Sequence, residues 1–160
     1  MRHFAYATFF LLLAAYGALG AGCKRARTWP PEPVPVTLGE DACAGCKMIV
    51  SDARFGAQLI ERSGKVEQFD DLGCLLQRHR RESLEPEGIF VRTWPAGAWI
   101  RGDQAWLLSA RDVPSPMGYG FAAFVDEQSA RAEAARHHGS SVLSFSRTLR
   151  ESLLISRGEP

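Results

Sequence analysis

Two short stretches of this chain are built alike, and they constrain its fold more than any other feature. Phe69-Asp70-Asp71 and Phe124-Val125-Asp126 each end a strand-like apolar run and lead into a helical pattern. Before the first junction lie MIV (48–50), FGAQLI (55–60) and KVEQF (65–69), separated by Asp52 and by the turn signal Ser63-Gly64. After it, Leu72, Leu75, Leu76 and His79 recur at helical spacing, with Asp70 or Asp71 placed to cap them. The pattern predicts a helix over about 71–81, whose RHRR end suits the negative pole of the helix dipole. IFVRTW (89–94) then reads as a strand.

The second half follows the same plan. AWI (98–100) and AWLLSA (105–110) read as a strand pair around the turn Arg101-Gly102-Asp103-Gln104. The loop DVPSPMGYG (112–120) precedes the strand FAAFV (121–125). Asp126 can cap the Ala-rich helix EQSARAEAARHH, with Gly139 as its C-terminal cap. SVLSF (141–145) closes the unit and SRTLRESLLI forms a short last helix. Residue identity between the halves is slight, so the likeness is one of architecture. The expectation is an α+β fold: two ββαβ-like repeats in one domain over 41–157, with halves of about 41–95 and 96–157.

The chain begins with a short basic start, Arg2 and His3, and an almost unbroken apolar run from Phe4 to Leu19. Small residues then lead to Cys23. This is the three-part form of a secretory signal over 1–22. The small residues before Cys23 also resemble a lipobox, in which Cys23 is lipidated and becomes the mature N-terminus; Gly20 stands where leucine is usual. The alternatives are an ordinary cleaved signal with Cys23 incidental, and a retained anchor, for which the run is at the short end for crossing a bilayer. From Cys23 to residue 40, Pro30, Pro31, Pro33 and Pro35 make an extended, stiff spacer. The formal net charge of +1 and the lack of a basic stripe argue against a nucleic-acid function.

Export changes how the cysteines are read, because thiols outside the cytoplasm pair by default. With Cys23 lipidated, Cys43, Cys46 and Cys74 remain, an odd number that calls for a further explanation. The stretch DACAGCKM (41–48) holds Cys43, Cys46 and Met48, and its soft sulfur set suits Cu(I) better than hard ions. Met117, the other internal methionine, lies in the Pro/Gly-rich loop SPMGYG and reads as a further ligand or as a packing residue. Three other readings compete. Cys43 and Cys46 form a structural disulfide or buried pair, or they are a redox dithiol, which requires the CxxC at a helix N-terminus. The third is zinc held by Cys43, Cys46, Cys74 and His79. A redox role is disfavoured because the motif runs into MIV. Zinc is disfavoured because Cys74 and His79 lie about 140° apart around a helix turning 100° per residue.

CAGCKM, the strand pair, EQFDDLGCLLQ, and SPMGYGFAAF before an Ala-rich helix and SVLSF together resemble the NosL family, over about residues 40–146. The resemblance implies a ββαβ repeat fold related to a domain of organomercurial lyase. It also implies a Cu(I)-binding lipoprotein, a chaperone and not an enzyme, anchored by lipid to a membrane and facing the periplasm. Its implied client is nitrous oxide reductase. By the same resemblance Cys46 and Met48 match a C-x-M ligand pair and Met117 a second-half methionine. Cys43 stands as an auxiliary ligand or disulfide partner. Asp70 and Asp71 match an acidic pair, with capping and orientation as their role. Cu(I) would then sit between the Cys46/Met48 turn and the Met117 loop, bridging the halves. Cys74 is read as a small packing residue, and His137 and His138 as dipole-complementing residues of the last helical turn.

Overall fold

The first strand, Ala57–Glu61 (β1), is buried along nearly its whole length, including its polar Gln58. That pattern belongs to a central strand covered on both faces. The computed structural model, which describes residues 31–82 and 84–157 with side chains as far as Glu151, shows why. β1 lies between Val66–Phe69 (β2) and Pro86–Arg92 (β3), and Trp99–Arg101 (β4) extends the sheet beyond β3, all antiparallel. On one face Ala57 and Leu59 meet the helix Leu72–Glu82 (α1) in the main core. On the other face the Pro-rich segment lies across the sheet.

Its attachment is specific. The Gln58 amide donates to Val34 O (2.6 Å) and accepts from Val34 N–H (2.9 Å), satisfying a backbone pair that prolines on either side leave without strand partners. A Cβ on Gly88, across from Ile60, would lie 3.1 Å from Pro31. The segment is extended, as its prolines dictate, but from residue 31 onward it is a layer of the domain and not a free spacer. The signal segment and Cys23 lie outside the described residues. Among the described residues no helix is long and apolar enough to cross a membrane.

A second antiparallel sheet has Trp106–Ser109 (β5) at its centre, between Phe121–Phe124 (β6) and Ser141–Ser144 (β7). The helix Glu127–Ala134 (α2) connects β6 to β7, and Phe145–Arg157 (α3) follows β7. Among the described residues the result is a mixed α/β domain of two sheets and three helices. The sheets meet where Thr93 bridges Ala123 and Trp94 N–H donates to Ala123 O at 2.7 Å.

Three expectations are corrected. MIV is not a strand: Ile49 makes a single bridge to Ala42. AWI and AWLLSA do not pair with each other. β4 pairs with β3, while a 3-10 turn at Gly102–Gln104, packed beneath Phe145, redirects the chain into the other sheet. The Ala-rich helix stops at Ala134, so Gly139 is not its cap and His137 and His138 lie beyond its last turn. His137 instead places Nδ1 2.8 Å from Asp112 Oδ1. Asp126 caps α2 as expected, accepting from Ser129 N–H at 2.7 Å.

One ion-pair cluster fastens α1 to its sheet. Glu67 of β2, almost fully buried, accepts from Arg78 Nε (3.1 Å) and Nη2 (3.0 Å) and from Lys65 Nζ (2.6 Å). The Arg78 guanidinium is the main reason its carboxyl is held down at about 2, against an ordinary 4.5. A carboxyl with a depressed folded-state pKa stabilises the fold above its unfolded pKa and loses that contribution as pH falls. Arg78→Ala is therefore expected to cost about 1–3 kcal/mol at neutral pH. In urea titrations at a series of pH values, its difference from wild type should shrink as pH falls from 4.5 to about 2.

Candidate metal centre

Between Asp41 and Val50 the chain doubles back as a knuckle. Cys43 N–H donates to Met48 O (2.7 Å), Lys47 N–H to Cys43 O (3.0 Å) and Val50 N–H to Asp41 O (2.8 Å). The reversal forces Lys47 into the left-handed region, φ +68°, where its Nζ reaches back to Ala44 O at 2.9 Å. Ala44 N–H donates to Gln68 O (2.7 Å), which sets the knuckle on β2. Gly45 then lies directly on α1. A Cβ there would stand 2.9 Å from Cys74 Cβ and 3.2 Å from the Cys74 carbonyl, so only glycine lets the two approach this closely.

That contact gathers three free thiols. The sulfurs of Cys43, Cys46 and Cys74 all lie within 4.8 Å of one another. Cys43 is 0% exposed and Cys74 3%, while Cys46 is half-buried and forms the solvent side of the cluster. The proton inventory is uneven. The Cys43 thiol is pulled down to about 5, first by a hydrogen bond from the Cys74 thiol and further by the backbone N–H groups of Cys46 and Asp70. The same bond pushes Cys74 up, reinforced by burial. Burial also raises Cys46. Cys43 is thus the thiol most readily ionised, with its two neighbours biased toward the protonated form.

The other residues singled out in the sequence occupy two flanks. Met48 is 59% exposed at the rim of the knuckle, beside the exposed Ile49. Met117 is half-buried in the loop between β5 and β6, and its N–H donates to Asp71 Oδ2 at 3.0 Å. Two residues on, the Tyr119 ring lies against Gly73, where a Cβ would stand 2.1 Å from its Cγ. Asp71 also caps α1, its Oδ1 accepting from Gly73 N–H at 2.8 Å. Asp70 Oδ1 accepts from Ser51 N–H (2.7 Å) and Oγ (3.2 Å), just past Met48. His79 is buried with Nδ1 unpartnered, its pKa lowered by burial, and it does not join the sulfurs.

Cys74 is the member that sequence reasoning set aside. It is buried, as a packing residue is, but it also faces the two knuckle cysteines. Helical periodicity had placed it on the far side of α1 from the Leu72/Leu76/His79 stripe. In the structure the first half of α1 has no solvent side, because the knuckle covers that face. The odd third cysteine was the available signal.

The NosL family model matches residues 33–153. The chain belongs to the NosL family. The copper-binding lipoprotein NosL of Stutzerimonas stutzeri is 30% identical over 145 residues, covering 82% of this chain and 74% of that protein. The crystal structure of the copper chaperone NosL from Shewanella denitrificans shares the fold, with a TM-score of 0.62 at 18% identity over 73% of this chain and 96% of that one. The matched span takes in the knuckle, α1 and the Met117 loop, so every element that builds the thiol cluster lies within the NosL portion of the chain.

Because Gly45 sets the distance between knuckle and helix, Gly45→Ala is expected to destabilise the domain by about 1–3 kcal/mol. It should also lift the knuckle away from Cys74. In the native protein Cys74 should resist alkylation while Cys46 reacts; in the variant, Cys74 should become reactive in mass-spectrometric labelling without unfolding.

Proposed function

We propose that this protein is an extracytoplasmic Cu(I) chaperone in which Cys43, Cys46 and Cys74 hold the ion as thiolates, with Met48 and Met117 as flanking thioethers. One observation carries this reading: three sulfurs lie within 4.8 Å, and among the described residues no His, Asp or Glu joins them. Soft sulfur donors in a set of three suit the low coordination of Cu(I). Structural zinc takes four ligands. The copper-binding and chaperone names of the two relatives point the same way.

The burial gradient supports cargo exchange. Two thiols are sealed and the third is open, with Met48 outside it. An acceptor's ligand can therefore approach by way of Cys46 and Met48, taking over one bond at a time while the buried sulfurs still hold the ion. The acceptor is a copper-receiving protein, and we assign nitrous oxide reductase as the client from the family resemblance. A lipid on Cys23 and the segment leading to residue 31 would tether the domain to a membrane on its periplasmic side. The order β1-β2-α1-β3 and β5-β6-α2-β7 supports reading the domain as two ββαβ repeats of the organomercurial-lyase-like kind.

A thiol-disulfide role is less well supported. The reactive species is an accessible thiolate. Here the low-pKa thiol, Cys43, is buried, and the accessible one, Cys46, is shifted upward.

Titration of the reduced protein with Cu(I) against a chromophoric chelator tests the ligand set. Cys46→Ser and Cys74→Ser are each expected to weaken affinity at least about tenfold, a loss of about 1.4 kcal/mol or more. Unchanged affinity in both would remove the assignment.

Proton release separates three thiolates from two. With Cys43 shifted toward the ionised form and Cys46 and Cys74 shifted toward the protonated form, the last two are the thiols expected to lose a proton on binding. Three-thiolate binding therefore releases about two protons per ion in weakly buffered solution, and affinity falls as pH falls. The fall should steepen below about 5, where Cys43 also protonates. Release of about one proton would instead indicate that only one of Cys46 and Cys74 is newly ionised.

A further inference from the structure

The knuckle and the Met117 loop lie far apart in the chain, and two adjacent buried side chains hold one each. Asp70 is 3% exposed and Asp71 0%. Asp70 uses one oxygen, Oδ1, for both the N–H and the hydroxyl of Ser51. Asp71 uses both of its oxygens: Oδ1 takes Gly73 N–H at the start of α1 (2.8 Å), and Oδ2 takes Met117 N–H (3.0 Å). A side chain buried this completely depends on those donors for the hydrogen bonds water would otherwise supply.

The loop that Asp71 holds is already shaped. Ser115 Oγ accepts from Gly120 N–H (3.0 Å), and Ser115 O accepts from Gly118 N–H (2.9 Å). Gly118 and Gly120 sit at φ +69° and +72°, and a Cβ on Gly120 would collide with Ala110 O at 2.1 Å. A loop this constrained shifts as a body when its fastening is released. Asp71 thus sets its distance from the first turn of α1, where Cys74 stands three residues on.

We propose that Asp71 is a positioning residue of the metal site: a clasp that closes the Met117 loop against the thiol cluster and slows the escape of a bound soft ion. The clasp rests on the Cu(I) reading above. Asp71 itself does not touch the ion and acts through Met117.

The hydrogen-bond inventory makes the clasp testable. Asp71→Asn keeps one acceptor for the helix cap but turns an amide NH2 toward the Met117 N–H. Asp71→Ser keeps a capping hydroxyl for Gly73 and is too short to reach Met117. Asp70→Asn removes a carboxyl one residue away yet retains the single acceptor that Ser51 needs. The full chain is loaded with Cu(I), and the ion's dissociation into excess chromophoric chelator is timed alongside apo-protein melting.

Asp71→Asn and Asp71→Ser are expected to release Cu(I) about tenfold faster, the scale on which an outer-shell partner acts on a metal site. Asp70→Asn should change the rate by less. Met117→Leu should accelerate release similarly, and combining it with either Asp71 variant should add nothing, because the two act on one contact. If Asn at position 71 prevents folding, the Ser variant decides. Wild-type protein that holds no Cu(I) overturns the copper reading itself. Wild-type protein that holds Cu(I), with release unchanged in the Asp71 variants or multiplied in the double variants, overturns the clasp alone. A variant that only melts earlier, at an unaltered release rate, marks Asp71 as structural and overturns the clasp too.

Discussion

The junction between β2 and α1 is the point on which the rest of this structure depends. Within Phe69-Asp70-Asp71 the chain leaves the first sheet, enters the helix and presents two carboxyl groups to the interior. One holds the chain past the knuckle, the other holds the helix start and a loop of the second half. Burying two neighbouring carboxyls is costly unless their oxygens are met by fixed donors. Here backbone N–H groups from three separate segments supply them. The same dipeptide also lends the Asp70 N–H to the Cys43 sulfur. Fold and site thus share their anchoring point.

The thiol cluster follows from that arrangement. Cys43 and Cys46 are brought together by a tight turn, which needs Lys47 in the left-handed region. Cys74 is brought to them by a helix whose start is capped by Asp71, and Gly45 removes the side chain that would hold knuckle and helix apart. Three thiols this close cannot ionise independently: a charge on one is stabilised by the protons of the others and opposes their loss. Under the Cu(I) proposal, a cation would replace those protons with a single positive centre.

Much of the architecture was legible from local signals. The α1 pattern, the Asp126 cap and the strands at 57–61, 66–69 and 121–124 all followed from hydrophobic period and capping chemistry. Pairing was harder. β4 and β5 are close in the chain and alike in composition, yet they belong to different sheets, because a 3-10 turn locked beneath Phe145 separates them. The Pro-rich stretch was legible as extended. Its docking was not, since it depends on one buried glutamine in a strand 24 residues away.

The sequence by itself determined the chemistry on offer: soft sulfur in a turn, a methionine in a second-half loop, and an acidic pair at a strand-to-helix junction. Spacing along a chain fixes which groups a single turn or helix face can bring together, and that was enough to join Cys43 to Cys46. Only the tertiary structure decided that Cys74 belongs with them. Helical periodicity describes one helix in isolation, and it assigns an outward side to a residue that a neighbouring segment then covers. The knuckle is that segment, and its contact at Gly45 turned a cysteine on the far side of a helix into the third sulfur of the site.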